Sequence, residues 1–346
     1  MDQIRLGRTE LYVSKTAFGA LPIQRISHAD AVKLVRRAYE SGINYFDTAN
    51  AYTDSEEKLG AALHDVRHEV IISTKSGGGD KKTVQAHIEE SLRRLQTDYI
   101  DLFQFHNPAQ LPDPEDPDGP FAAVLEAKQK GYIRHIGITN HRLKVACAAI
   151  DSGNFETMQF PFCYLAAPQD LEIVEKCKAA DMGFIAMKGL SGGLLNNAEA
   201  CYAFMQEYPN VVPIWGIQRE EELDQWLELT ARDPHVTPEI QAVIDKDRSS
   251  AKLAADFGAD MLVILTAVEK VCVNFGKPDQ AEIDTMTIAE AEEFIAQGQF
   301  APGSMLPKVE ACIEYVRAFP EGKALITSLE CAAAGIEGKT GTVITA

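Results

Sequence analysis

Along the first two thirds of this chain, short apolar runs alternate with stretches whose apolar residues recur every three or four positions. The runs are Val13 to Phe18, Asn44 to Thr48, Val70 to Lys75, Ile100 to His106, Ile133 to Thr139, Thr157 to Phe162, Phe184 to Met187 and Val211 to Ile217. Each reads as a strand buried on both faces. The stretches between them have helical spacing. Ser27 suits an N-cap, with Asp30 three residues on, Val32, Val35, Ala38 and Tyr39 make one apolar face, and Gly42 suits the exit. A second helix is predicted from about Thr83 to Leu95, with Val84, Ile88, Ser91, Leu92 and Leu95 on its inner face.

Strand and helix therefore alternate, which is the pattern of a parallel sheet with crossover helices. Eight such pairs within about 232 residues match an α/β fold of the closed (β/α)₈ TIM-barrel type, which has a typical length of about 250 residues and its active site at the C-terminal strand ends. A doubly wound open sheet is the rival. No G-x-G-x-x-G follows an early strand to support it.

Four ionisable residues fall at or just after the ends of three successive runs: Asp47, Tyr52, Lys75 and His106. Hydride reduction of a carbonyl leaves negative charge on oxygen, so the site needs a proton donor and a polarising group. Tyr52 suits the donor. An ammonium beside it favours the phenolate, so Lys75 is expected to lower the tyrosine pKa from about 10, with Asp47 holding Lys75 charged and His106 bonding the carbonyl oxygen. Taken singly, each residue has an ordinary structural alternative: a packed tyrosine, a solvated lysine, a capping aspartate, a core histidine. Their convergence on one barrel face favours chemistry. The loop from Asn107 to Asp113 and the neighbouring Trp215 are expected to line the pocket.

Composition narrows the partners. The 346 residues carry 33 basic and 51 acidic side chains, a formal charge of −18, which argues against general affinity for nucleic acid or anionic membrane. No apolar stretch reaches the ~18 residues that span a bilayer, and the N-terminus lacks a signal-peptide core, so a cytoplasmic protein is expected. The cysteines at 147, 163, 177, 201, 272, 312 and 331 form no C-x-x-C pair. They read as reduced thiols. His64 and His68 lack the partners to complete a metal site, so none is expected.

Phe46-Asp47-Thr48-Ala49 with Tyr52, the Ser73-Thr74-Lys75 strand end, and Ser91-Leu92-Arg93-Arg94-Leu95 running through Asp98-Tyr99-Ile100-Asp101-Leu102 to His106 closely resemble the aldo-keto reductases. The resemblance runs from Leu6-Gly7 to about Leu229, through Gly137-Ile138-Thr139-Asn140, Gln159 and Gly183 to Lys188. It implies a barrel, NADPH as hydride donor, a small carbonyl substrate, and Tyr52 as general acid assisted by Asp47, Lys75 and His106. It also implies that Thr139, Asn140 and Gln159 hold the nicotinamide carboxamide, with Met187 standing where many members have a stacking tyrosine and Lys188 beside it. Leu190 and Gly192 fall at the implied pyrophosphate position, and Gly216, Gln218 and Arg219 at the adenosine phosphate. Glu220, Glu221 and Glu222 follow at once, repelling a 2'-phosphate, which leaves NADH open beside NADPH.

From about Gln241 the chain departs from that pattern. Val243-Ile244-Asp245-Lys246-Asp247, Ala259 to Thr266, Asn274-Phe275-Gly276-Lys277-Pro278, Phe300 to Lys308 and Gly338 to Thr342 resemble the C-terminal part of carbamate kinases. The expected organisation is a barrel over 1–232, a junction over 233–240 and a partial kinase-like α/β segment over 241–346. The segment itself predicts a buried strand over Met261 to Thr266 and helices over Ile288 to Ala296 and Val309 to Phe319. The kinase resemblance implies that Lys246, Asp247 and Lys308 meet ATP phosphates. The first half of such a kinase is missing, so a complete ATP site is not expected. An exposed half-sheet would instead favour a homo-oligomer. Two alternatives to a reductase stand: a nucleotide-binding sensor without turnover, and phosphotransfer by the tail.

Overall fold

The computed structural model describes residues 1–246, 261–266, 268–300, 305–318 and 321–346, and the chain divides into two units, Met1–Arg248 and Ser249–Ala346. The first opens with an antiparallel hairpin of β1 (Gln3–Arg5) and β2 (Tyr12–Ser14). The apolar runs then become β3 (Ala17–Gly19), β4 (Tyr45–Asp47), β5 (Ile71–Ser76), β6 (Ile100–His106), β7 (Ile133–Thr139), β8 (Thr157–Pro161), β9 (Gly183–Met187) and β10 (Val211–Gly216). These eight strands close into a parallel barrel, with β10 pairing back onto β3. Around it lie α1 (His28–Glu40), α2 (Ser55–Leu63), α3 (Lys81–Arg94), α4 (Pro120–Gln129), α5 (Leu143–Ser152), α6 (Pro168–Ala179), α7 (Ala198–Gln206) and α8 (Glu220–Arg232).

The predicted run Val13 to Phe18 is two strands, not one. Ser14 Oγ donates to Thr16 O at 2.7 Å, and the chain turns there from the hairpin into the barrel. Its first half belongs to the hairpin, which lies against the N-terminal end of the barrel. Gly7 bridges Met182 at the start of β9, Arg8 donates to Gly153 O and Phe155 O, and a Cβ on Gly7 would lie 2.2 Å from Gly183 N. In α1 the Ser27 side chain accepts from Asp30 N as expected, but the buried face is Ala31, Leu34, Val35 and Ala38. Val32 and Tyr39 sit at its edge, only partly buried.

Side chains alternate across the barrel wall with a period of two. Phe46, Ile72, Phe103 and Phe105 point outward to the main core under the helices. Tyr45, Leu102, Ile185, Val212 and Ile214 point inward, where they pack with Leu6 and Val13 of the hairpin. That apolar layer closes the N-terminal half of the barrel. One step further along β4, β5, β6 and β8 the inward positions are polar, with Asp47, Lys75, Gln104 and Gln159, which places the site.

The helical residues 238–246 also belong to this unit, with Ile244 buried and Ile240 and Val243 packed against the main core. In the second unit, β11 (Met261–Thr266), β12 (Val271–Val273), β13 (Ala281–Ile283), β14 (Thr285–Thr287), β15 (Lys323–Ser328) and β16 (Thr342–Thr345) form a sheet in the order β11-β15-β16-β14 and a separate β12–β13 hairpin. Helix Ile288–Ala296 spans the predicted residues, started by a Thr287–Glu290 capping box, and helix Met305–Ala318 lays Val309, Cys312, Ile313 and Val316 against Ala324 and Ile326. β11 is half-buried where full burial is expected from its apolar run, because it is an edge of the sheet among the described residues. Leu265 on it and Leu329 after β15 are exposed.

Candidate active site

The inward polar layer begins at the C-terminal end of β4. Asp47 ends that strand, and its side chain is 4% exposed, while that of Lys75 on the adjacent β5 is 1% exposed. Lys75 Nζ donates to Asp47 Oδ2 at 2.7 Å and to Thr48 O at 2.5 Å. Ser73 Oγ donates to Asp47 Oδ1 at 2.6 Å and lies 3.0 Å from Tyr45 OH. A charge this deeply buried stands only with a partner and donors around it, and both are present.

The loop after β4 carries Tyr52. Asn50 N donates to Lys75 O, Tyr52 N to Ala49 O and Ser55 N to Tyr52 O, so the loop is tied to β5 and into α2. The ammonium of Lys75 stands 5.3 Å from the centre of the Tyr52 ring, and the His106 ring meets Tyr52 edge-on at 5.7 Å. The structure thus brings Asp47, Tyr52, Lys75 and His106 together. One expectation is reversed: the Tyr52 pKa is raised, because burial of the phenolate outweighs the lowering by Lys75, and Asp47 adds to the rise. Burial, helped by Lys75 and His141, drops the His106 imidazole to about 3, so it is neutral near pH 7.

His106 also forms part of a cleft of about 380 Å³ with Gly77, Gly78, Pro108, Leu111 and Pro112. The loop after β6 is a wall, as expected. Trp215 is not, because strand parity turns it outward from β10 onto α8, where it stacks on Trp226 at 3.8 Å between ring centres. A wider hollow of about 440 Å³, with Arg67 and Tyr99 on its walls, lies before β5 and β6, away from these residues.

Thr139, Asn140 and Gln159 are buried at the ends of β7 and β8. Thr139 Oγ accepts from Asn107 N, and Asn140 donates to Pro108 O while accepting from Arg142 N. Gln159 Oε1 accepts from Gln104 at 2.9 Å, and its Nε2 has only long contacts, 3.5 Å to Asp47 and 3.9 Å to Met187 Sδ. Half-buried Met187 ends β9, and exposed Lys188 follows it. Leu190 leads into a short turn over Ser191–Gly193, whose two glycines have positive φ and open space where a Cβ would stand, while Ser191 N and Gly193 N donate to Lys188 O and Leu190 O within the turn.

Gly216 ends β10, and a Cβ there would lie 3.1 Å from Pro22. Gln218 N and Arg219 N both donate to Glu222 Oε2, and the Arg219 guanidinium donates to Glu222 Oε1 at 2.6 and 2.9 Å. The charge that Arg219 would offer a phosphate is already engaged. Lys246 ends the described helix of the first unit, Lys308 lies in helix Met305–Ala318 of the second, and Asp247 lies outside the described residues.

Sequence reasoning missed Gln104 and Ser73. The signal was available: they lie two residues before His106 and Lys75, so strand alternation puts them on the same inner face.

The model of the Aldo/keto reductase family matches residues 15–207, more than half of the chain. The chain belongs to the aldo/keto reductase family. A Bacillus halodurans aldo-keto reductase in its holo form is similar with TM-score 0.63 and 23% identity, over 71% of this chain and 96% of that one. A Klebsiella pneumoniae aldo/keto reductase in complex with NADP and acetate gives TM-score 0.62 and 22% identity, over 71% and 94%. These likenesses bear on the barrel fold. Family membership supports an oxidoreductase role. Residues 222–327 match the Amino acid kinase family model. A carbamate kinase-like protein of Escherichia coli K12 is 58% identical over 103 residues, 30% of this chain and 33% of that protein. A carbamate kinase of Latilactobacillus sakei is 53% identical over 106 residues, 31% and 34%. The chain spans about a third of the length of these kinases. Among the described residues, no helix is long and apolar enough to cross a membrane.

Proposed function

We propose that the barrel binds NADPH and reduces a small aldehyde or ketone to an alcohol, with Tyr52 as the general acid. The observation that carries this is Lys75, buried between the Asp47 carboxylate and the Tyr52 ring, with His106 edge-on to that ring at the edge of a cleft. NADPH, when bound, supplies the hydride. Tyr52 stays protonated across neutral pH because its pKa is raised, and so has a proton to give. As hydride reaches the carbonyl carbon, the carbonyl oxygen becomes basic and takes the phenol proton. Lys75 then faces a phenolate and stabilises it, and Asp47 keeps the ammonium charged and aimed. Neutral His106 donates a hydrogen bond to the same oxygen without competing for the proton.

The nicotinamide end of the cofactor finds suitable partners in the buried amides and hydroxyl of Asn140, Gln159 and Thr139. The adenosine end fits less well, since Glu222 holds Arg219. NADPH is kept first on the family resemblance, and the engaged Arg219 leaves NADH open beside it. Titration of the full chain with each cofactor, followed by a carbonyl screen, tests the proposal. Saturable binding and substrate-dependent cofactor oxidation support it; binding without turnover of any carbonyl supports the sensor alternative. No phosphotransfer is proposed for the second unit, since the matching kinases extend about twice as far again beyond it. Its half-buried edge strand β11 instead supports self-association, which sedimentation of the full chain would reveal.

A further inference from the structure

The loop that carries Tyr52 is held from outside the barrel wall. Asn50, two residues before the tyrosine, has its main chain gripped on both sides: Asn50 N donates to Lys75 O at 3.0 Å, and Asn50 O accepts from Arg94 Nη1 at 3.0 Å. Its side-chain amide donates to Glu90 Oε2 at 3.2 Å. Arg94 is the last residue of α3, and its side chain is 18% exposed. Its other contacts are acidic, with Nη2 2.7 Å from Glu90 Oε1 and Nη1 3.4 Å from Glu56 Oε2.

Glu56 closes the circuit. This carboxylate on α2 is fully buried, and its Oε1 accepts from Thr74 Oγ1 at 2.6 Å. Thr74 precedes Lys75 on β5, and strand alternation turns it outward while Lys75 points in. The contacts therefore run in a ring, from Lys75 O to Asn50, from Asn50 O to Arg94, on to Glu56 and Thr74, and through the peptide bond back to Lys75. That ring ties the strand position of Lys75 to the loop of Tyr52. Once released, the loop has reason to move. Thr53, directly after Tyr52, has φ 39°, a left-handed conformation that a β-branched residue keeps only where its surroundings impose it. Beyond it, Asp54 Oδ2 is held by Lys58 Nζ at 2.8 Å, so Asn50 is the end that Arg94 controls.

We propose that Arg94 is a positioning residue for the proton transfer, which acts through Asn50 to keep the Tyr52 ring beside the Lys75 ammonium. This rests on the reading of Tyr52 as general acid in the same site. A guanidinium suits the task because its rigid fork serves the Asn50 carbonyl and two carboxylates at once. A lysine in its place keeps the positive charge that buried Glu56 requires, but a point charge on a flexible stem does not hold all three contacts in that geometry. Arg94→Lys therefore loosens the loop while leaving Glu56 compensated.

Single-turnover oxidation of bound NADPH by 4-nitrobenzaldehyde in the full chain tests this, with NADPH affinity taken from titration and folding from thermal melting. Arg94→Lys should bind NADPH within about twofold of the wild type and transfer hydride at least about tenfold more slowly, since an ångström of misplacement costs up to ~10²-fold. A folded Arg94→Lys protein with the wild-type hydride-transfer rate would overturn the proposal whatever its stability, because a purely structural arginine moves the melting temperature alone. Where Arg94→Lys fails to fold, Glu90→Ala decides. Glu90 is partly exposed, and its removal frees Arg94 Nη2 and the Asn50 amide together. The hydride-transfer rate should then fall by about threefold, and an unchanged rate would overturn the proposal equally. A wild type that binds NADPH but reduces neither 4-nitrobenzaldehyde nor any other carbonyl of the screen would reject the reductase reading itself, a result distinct from turnover that is indifferent to Arg94.

Discussion

Lys75 donates to Asp47 Oδ2 at 2.7 Å in the barrel interior, where neither side chain is more than 4% exposed. Removing one partner leaves the other charge buried without compensation, which costs roughly 3–5 kcal/mol. Lys75→Met and Asp47→Asn should each lower stability on that scale in urea unfolding. The double variant should recover much of the loss in stability and none of the turnover. Equal, additive losses would show that the two groups are not coupled.

His106 gives the protein an acid-sensitive term. Its folded pKa of about 3 lies below the ordinary 6.5, so the unfolded chain takes up the proton first. The stabilisation is fully present above pH 6.5 and is lost as pH falls from there towards 3. His106→Gln should flatten that part of the stability profile measured without cofactor. An unchanged acid limb would mean that the imidazole is not held neutral by burial.

Glu222 governs the charge at the adenosine end. Its carboxylate accepts from the Arg219 guanidinium and from two backbone N–H groups ahead of α8. Glu222→Gln keeps much of the cap and frees the guanidinium, and a charge-assisted bond to phosphate is then available. The ratio of NADPH to NADH affinity should rise several-fold in paired titrations, on the scale of ~1 kcal/mol, and the gain should shrink with added salt. No change in the ratio would place the phosphate elsewhere.

Gly189 sits under Trp215. An added Cβ would come within 2.4 Å of the indole, which already stacks on Trp226. Gly189→Ala should therefore shift the tryptophan fluorescence and destabilise the fold by about 1–3 kcal/mol through overpacking. An unaltered emission spectrum would show that the stack can yield.

How much of this was legible in the sequence depends on the kind of pattern involved. Ile100–His106 and Ile133–Thr139 match the predicted runs at both ends, because buried parallel strands leave continuous apolar runs and the barrel needs little else to define them. Val13 to Phe18 failed because continuity of apolar residues does not show a turn between two strands. Trp215 was misplaced although the two-residue period around Ile214 and Gly216 already turns it outward. The placement of the four ionisable residues was legible because Asp47, Lys75 and His106 fall at the ends of apolar runs at one end of the barrel and Tyr52 follows in the loop after the first. Gln104 was overlooked although strand alternation already puts it on the face of His106, since a glutamine between Phe103 and Phe105 looks like an ordinary strand position, and only its distance to Asp47 gives it a role. The rise in the Tyr52 pKa likewise depends on burial, which no spacing reveals.

The central claim is that Tyr52 gives the proton. Single-turnover oxidation of bound NADPH by a carbonyl substrate, followed by stopped-flow in the wild type and in Tyr52→Phe, tests it most directly. Tyr52→Phe should bind NADPH with unchanged affinity and lose the hydride-transfer step by roughly 10²–10⁴-fold, as expected for a missing general acid. A variant that oxidises NADPH at the wild-type rate would contradict the assignment.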